Sequence, residues 1–167
     1  MERSKTLKNG GMVRIRHVSR DDGPALKKAL EKMTANDMRS RFFSSGNEFD
    51  LSYLQLLANV DQEREIALLA VNPNDTNDIW AGGRLYIDSA SRRTEYGTLV
   101  RSDLQGIGLG GAILEALIES GRQRGLLEIW GMVSNRNQAM LIFLSQFGFE
   151  TRRDPDDAGT NIVTKKL

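Results

Sequence analysis

A mixed α/β domain is what this sequence predicts, and three observations carry the reading. Residues 66–71, Ile-Ala-Leu-Leu-Ala-Val, form a continuous apolar run of the length of a buried strand. The turn cluster at 73–78 separates that run from a second strand-like segment, as a hairpin requires. From Leu109 the period changes: Leu109, Ala112, Ile113, Ala116 and Leu117 recur at three and four residues, opposite a polar stripe of Glu115, Glu119, Arg122 and Gln123. Strands with one apolar face and a helix with one apolar stripe bury both by packing together.

The elements follow in order. Residues 1–11 are polar and end in Gly10-Gly11, which predicts a flexible lead-in and leaves 12–167 as a single domain. Val13, Ile15 and His17 alternate with Arg14, Arg16 and Val18, a first strand. Ser19-Arg20-Asp21-Asp22 supplies caps for a helix over Pro24–Lys32, with Pro24 tolerated in the first turn. Residues 36–43 and 51–58 read as shorter helical segments. Glu65–Asn72 is expected to be central and buried on both faces, with Ile79–Ile87 as its hairpin partner. After the turn at 89–92, Glu95–Arg101 alternates as a strand, Ser102-Asp103-Leu104-Gln105 turns the chain, and glycines at 106, 108, 110 and 111 lead into the amphipathic helix. Gly125 ends that helix. Leu126–Val133 is a strand, Asn135–Gln146 a helix stopped by Gly148, and Phe149–Arg152 and Asn161–Lys165 are paired closing strands.

Composition removes several function classes. At 167 residues the chain is long enough for one domain that buries about 70% of its unfolded surface. A net charge of +1 makes no demand for nucleic acid or an anionic membrane. The absence of cysteine excludes disulfides, thiolate metal sites and a cysteine acyl-enzyme, and with no signal peptide or long apolar run it favours the cytoplasm. The single histidine, His17, builds no histidine-rich metal site and reads as an ordinary strand-end residue; no metal is expected.

A strand, a glycine loop and a helix start point several backbone N–H groups at one place, and such a place binds phosphate. Gly106 to Gly111 fits Gly-x-Gly-x-x-Gly, but Arg101 to Gln105 intervene after the strand, and Trp130 and Gly131 stand where a dinucleotide site needs an acidic residue. A Walker A loop fails because no Gly-Lys-Ser/Thr follows. Gln105, Gly108 and Gly110 do match Gln/Arg-x-x-Gly-x-Gly/Ala, the coenzyme A pyrophosphate loop. On these residues the chain resembles the GNAT N-acetyltransferase superfamily. Asn137-Gln138-Ala139-Met140 and Phe147-Gly148-Phe149 resemble its Asn-x-x-Ala…Leu-Gly-Phe helix. Arg39-Ser40-Arg41-Phe42-Phe43, the stretch from Asp61 to Leu68, and Val100 to Gly106 are similar to the Pat-type bacterial protein lysine acetyltransferases.

The resemblance implies the GNAT fold, a central mixed, mostly antiparallel sheet of six to seven strands with helices on both faces. It implies acetyl-CoA as co-substrate. Main-chain groups of Leu99, Val100 and Arg101 are expected to hold the pantetheine arm, Gln105, Gly106, Ile107, Gly108, Leu109 and Gly110 to cradle the pyrophosphate, and Asn137 to touch the pantetheine, although Asn137 is equally placed to cap its helix. A lysine amine is neutral in only about one molecule in two thousand at pH 7, so a general base is expected. By resemblance Glu95 takes that role; the alternative is an exposed carboxylate paired with Arg93 or Arg84. Leu144 stands where many family members carry a tyrosine acid, so the thiolate is expected to leave unaided, through water or through Ser145, in a direct transfer with no covalent enzyme intermediate. Arg39, Arg41 and Phe42, with Phe43, are expected to line the acceptor side, unless the phenylalanines are core and the arginines solvated. The leading acceptor is a protein lysine, such as one on an acyl-CoA synthetase; a small amine, or no reaction at all in an acyl-CoA-sensing module, are the alternatives. Oligomeric state is not legible.

Overall fold

The computed structural model describes residues 2–37, 55 and 57–167. Eight strands among them form one sheet in the order β1-β2-β3-β4-β5-β6-β8-β7. They are β1 (Arg3–Thr6), β2 (Met12–His17), β3 (Glu65–Asn72), β4 (Asp75–Asp88), β5 (Arg93–Val100), β6 (Glu128–Ser134), β7 (Glu150–Arg153) and β8 (Thr160–Lys166). Every pairing is antiparallel except β5 with β6. Helices α1 (Gly23–Glu31), α2 (Leu109–Gln123) and α3 (Gln138–Gln146) pack on the two faces. No helix among the described residues is long and apolar enough to cross a membrane.

The apolar run at 66–71 is the buried interior of β3, flanked by β2 and β4 as its composition demands. One face of the sheet receives α2. Its Leu109, Ile113, Leu114 and Leu117 are each at most 1% exposed, a burial worth roughly 2 kcal/mol per side chain. The helix sits close to β4 because Gly83 has no side chain: a Cβ there would lie 2.4 Å from Ile113 Cγ2 and 2.8 Å from Leu117 Cδ1. The Ile113 methyl is fixed to a branched Cβ and cannot swing aside. Gly83→Ala is therefore expected to lower stability by about 1–3 kcal/mol, read as a lower urea midpoint at unchanged slope. The opposite face receives α1, whose Ala25 packs with Leu69, Val71 and Ile79.

The flexible lead-in expected over 1–11 is corrected. Arg3–Thr6 pairs with Met12–Ile15 as β1, giving one strand more than the upper expectation of seven. Its bulk comes from side chains that are not apolar: Arg3 pairs with Glu119, donating at 2.8 Å from its second nitrogen, and Lys5 pairs with Glu115, both partners on α2. Leu7, 6% exposed, then joins the core under α2. The helical segment expected at 36–43 lies outside the described residues beyond Asp37, and that at 51–58 does so except for residues 55, 57 and 58.

Candidate active site

Strand β5 organises the site because it is paired unequally on its two sides. With β4 it pairs along its whole length, from Arg93 opposite Asp88 to Val100 opposite Ala81. With β6 it pairs only at Arg93, Thr94 and Glu95, opposite Glu128, Ile129 and Trp130, after which β6 continues with β8. The distal half of β5 therefore has an edge open toward β6. Antiparallel ladders alternate residues whose main-chain groups face the partner strand with residues whose groups face away. The Arg101 N–H donates to Trp80 O at 3.0 Å, which fixes the parity. Arg101 and Leu99 turn their main-chain groups toward β4, whereas Val100 and Thr98 turn theirs to the open edge.

Of the three residues expected to hold the pantetheine arm, Leu99 and Arg101 thus have their main-chain groups engaged with β4, and Val100 presents its own to the open edge. Thr98, which the sequence reading did not single out, shares that edge with Val100. Face parity was legible from the alternation at 95–101, but hydrogen-bond parity depends on the partner strand.

Glu95 is exposed, on the face opposite α2, and stands at the last pair before the edge opens. Tyr86 on β4 and Trp130 on β6 flank it in register. Arg84 and Arg93, the partners that a merely structural Glu95 would use, are engaged elsewhere: Arg84 with Glu65 at 2.7 Å and the Leu57 carbonyl, Arg93 with Glu128 at 2.7 Å. Among the described residues no ion pair engages Glu95, so its carboxylate is available to solvent or substrate. Burial pushes the Tyr86 hydroxyl up; the nearby Glu65 and Glu95 add to this and Arg84 opposes it. Tyr86 is a neighbour of Glu95 that only the hairpin register reveals.

Beyond Val100 a short 3-10 turn, Ser102–Leu104, delivers the glycine loop. Gly106 and Gly108 take φ of +86° and +99°, the left-handed region that side chains resist. Space above Gly106 is open, with nothing within 4 Å of where a Cβ would stand. Gly108 is the N-cap of α2 and brings no side chain to its orphan N–H groups; the first bond of the helix runs from Ala112 N to Gly108 O. The N–H groups of Leu109, Gly110 and Gly111 are thus left for an external acceptor at the positive end of a 15-residue helix. This donor set fits a diphosphate. The Gln105 side chain instead donates to Asp37 at 3.0 Å, and Asp37 also accepts from Ser102 at 2.5 Å, tying the chain after α1 to the loop.

Arg101 anchors the whole turn. The residue is 8% exposed, and its guanidinium makes two bonds to Asp103 of 2.9 and 2.7 Å, one to Asp78 of 2.6 Å and a long one to the Ile79 carbonyl. The bond from Arg101 holds the Asp103 carboxyl below its usual range. At Asp78 burial pushes upward, but bonds from Trp80, Asn72 and Arg101 outweigh it and the net direction is down.

On α3, Asn137 is the N-cap, accepting from Met140 N at 3.2 Å. Leu144 is 1% exposed and belongs to the core, and the Ser145 hydroxyl donates to the Ile142 carbonyl at 2.6 Å. Arg39, Arg41, Phe42 and Phe43 lie outside the described residues.

A family model, that of the acetyltransferase (GNAT) family, matches residues 27–149. The chain belongs to the GNAT acetyltransferase family. It is an enzyme of acetyl-CoA-dependent acyl transfer. An acetyltransferase of Pseudomonas aeruginosa is 24% identical over 155 residues, 92% of this chain and 83% of the relative. The GNAT domain of the Streptomyces lividans protein PAT superposes with a TM-score of 0.91 at 22% identity, covering 99% of this chain and 97% of that one. The PaiA N-acetyltransferase of Thermoplasma acidophilum, solved in complex with coenzyme A, gives 0.73 at 16% identity, covering 93% and 99%. These GNAT structures share the fold of this chain.

Proposed function

We propose that this GNAT enzyme acetylates the side-chain amine of a lysine on a protein surface, with Glu95 as general base. The observation that carries the reading is the position of Glu95, exposed and without an ion-pair partner among the described residues, at the point where β5 and β6 part. Thr98 and Val100 offer the pantetheine arm main-chain donors and acceptors along the open edge, much as a peptide adds to a sheet. The N–H groups at the start of α2 take the pyrophosphate, over the open space at Gly106. Glu95 accepts the proton of the lysine ammonium, directly or through water. The freed nitrogen attacks the thioester carbonyl, the carbon–sulfur bond breaks, and the surplus proton on the nitrogen passes through water to the leaving thiolate. Neither the buried Leu144 nor the engaged Ser145 supplies that proton.

A macromolecular acceptor is supported by the open surroundings of Glu95, where Tyr86 and Met132 are 45% and 47% exposed. The Pat-type segments noted above support it from the sequence. The test is thiol release from acetyl-CoA with an acyl-CoA synthetase as acceptor beside a panel of small amines. The absence of cysteine keeps the chain's own background low. Release with the protein only, with acetyl-lysine on it, is the expected result. Release only with a small amine would overturn the protein acceptor, and tight acetyl-CoA binding with no release anywhere would overturn catalysis in favour of sensing.

A further inference from the structure

The hairpin of β1 and β2 does more than extend the sheet, because its tip reaches the glycine loop. The Lys8 N–H donates to Ile107 O at 3.1 Å, bonding the hairpin to the centre of that loop. The tip is itself held closed by Leu7 N to Gly11 O at 2.8 Å and Gly10 N to Leu7 O at 3.0 Å. Beyond the main-chain bond, the Lys8 side chain runs over Gly108: a Cβ there would lie 3.1 Å from Lys8 Cγ and 3.6 Å from Lys8 Cδ. Lys8 is exposed, and among the described residues it enters no ion pair, whereas Arg3 and Lys5 on the adjoining strand are paired with Glu119 and Glu115. The stem of a lysine that pairs with no carboxylate among the described residues is thus laid over the N-cap of α2, where the helix already presents positive charge.

Two positive features side by side repel unless an anion lies between them, and among the described residues no carboxylate pairs with Lys8. Resting on the acetyl-CoA reading above, we propose that Lys8 is a binding residue for the phosphates of the coenzyme, and that the hairpin tip forms one wall of the phosphate cradle. The main-chain bond to Ile107 sets the stem over Gly108, so little rotamer freedom is lost when the ammonium meets phosphate oxygen. The interaction is charge-assisted and solvent-facing, and so sensitive to salt.

The experiment is calorimetric titration of the full chain with acetyl-CoA, CoA and dephospho-CoA at low and moderate salt. Lys8→Met keeps the stem over Gly108 and removes only the charge; Lys8→Arg keeps the charge. A rise in Kd of about tenfold is expected for Lys8→Met, with a weaker salt dependence and affinity largely restored in Lys8→Arg. An equal loss with CoA and dephospho-CoA assigns the ammonium to the pyrophosphate, and a loss confined to CoA assigns it to the 3′-phosphate; either supports the proposal. A Lys8→Met affinity within about threefold of the unsubstituted chain overturns it. Equal losses in Lys8→Met and Lys8→Arg overturn it too, since they point to packing rather than charge. Should the unsubstituted chain itself fail to bind acetyl-CoA, the functional reading falls and the role of Lys8 falls with it, a result distinct from normal binding that ignores Lys8.

Discussion

Glu95→Gln lowers kcat by about two to four orders of magnitude, the range typical for loss of a general base, while acetyl-CoA binds as before. The amide has nearly the shape of the carboxylate but cannot take a proton at neutral pH. Because Glu95 is exposed and forms no ion pair among the described residues, the substitution removes no packing or charge partner that the fold depends on. The thermal midpoint should therefore be unchanged, which separates a chemical defect from a folding one. Steady-state turnover, with binding followed by calorimetry, checks both halves. Unchanged turnover would remove Glu95 from the mechanism.

Arg101→Met is expected to be the most damaging single change to stability near the site. The guanidinium is nearly buried and serves Asp78 and Asp103 together, so its removal leaves two carboxylates without their cation. Breaking a fully buried pair costs about 3–5 kcal/mol; here Asp78 and Asp103 are partly solvated, and about 2–3 kcal/mol is expected. For a chain of this size that corresponds to a fall in Tm of roughly 5–10 °C. The pH dependence has a definite sign. Both carboxyls are held below their ordinary range in the folded state, so the stability they confer is fully present above the unfolded carboxylate value of about 3.9 and is lost as pH falls through the lower folded values. The difference in stability between Arg101→Met and the unsubstituted chain should be constant near neutrality and shrink below about pH 4. Urea denaturation at a series of pH values measures it, and a difference persisting undiminished in strong acid would mean that packing, not charge, is what was lost.

How much of this was legible in the sequence depended on how local its cause is. The interior of β3 announced itself because a continuous apolar run has few other uses, and the loop did so because backbone at φ near +90° is tolerated by glycine at 106 and 108. The start of α2 followed from its apolar period. By contrast Arg-Ser-Lys-Thr at 3–6 carries no apolar alternation; it is a strand because Arg3 and Lys5 find carboxylates on α2, more than a hundred residues away. The burial of the Arg101 side chain was not legible, since the Asp78 that helps to bury it lies 23 positions upstream. Which of Thr98 and Leu99 turns its main-chain groups to the open edge has the same origin, for the direction of a main-chain N–H is decided by the strand opposite, and here by the bond to Trp80.

The incomplete pairing of β5 also leaves a mark that isotope exchange can read. The Leu99 and Arg101 amides are tied into the ladder with β4, while those of Thr98 and Val100 point to a side with no strand. Adjacent residues of one strand should then exchange deuterium at alternating rates, slow at 99 and 101, fast at 98 and 100. Acetyl-CoA laid along that edge would serve as a missing strand and slow the fast pair toward the rates of its neighbours.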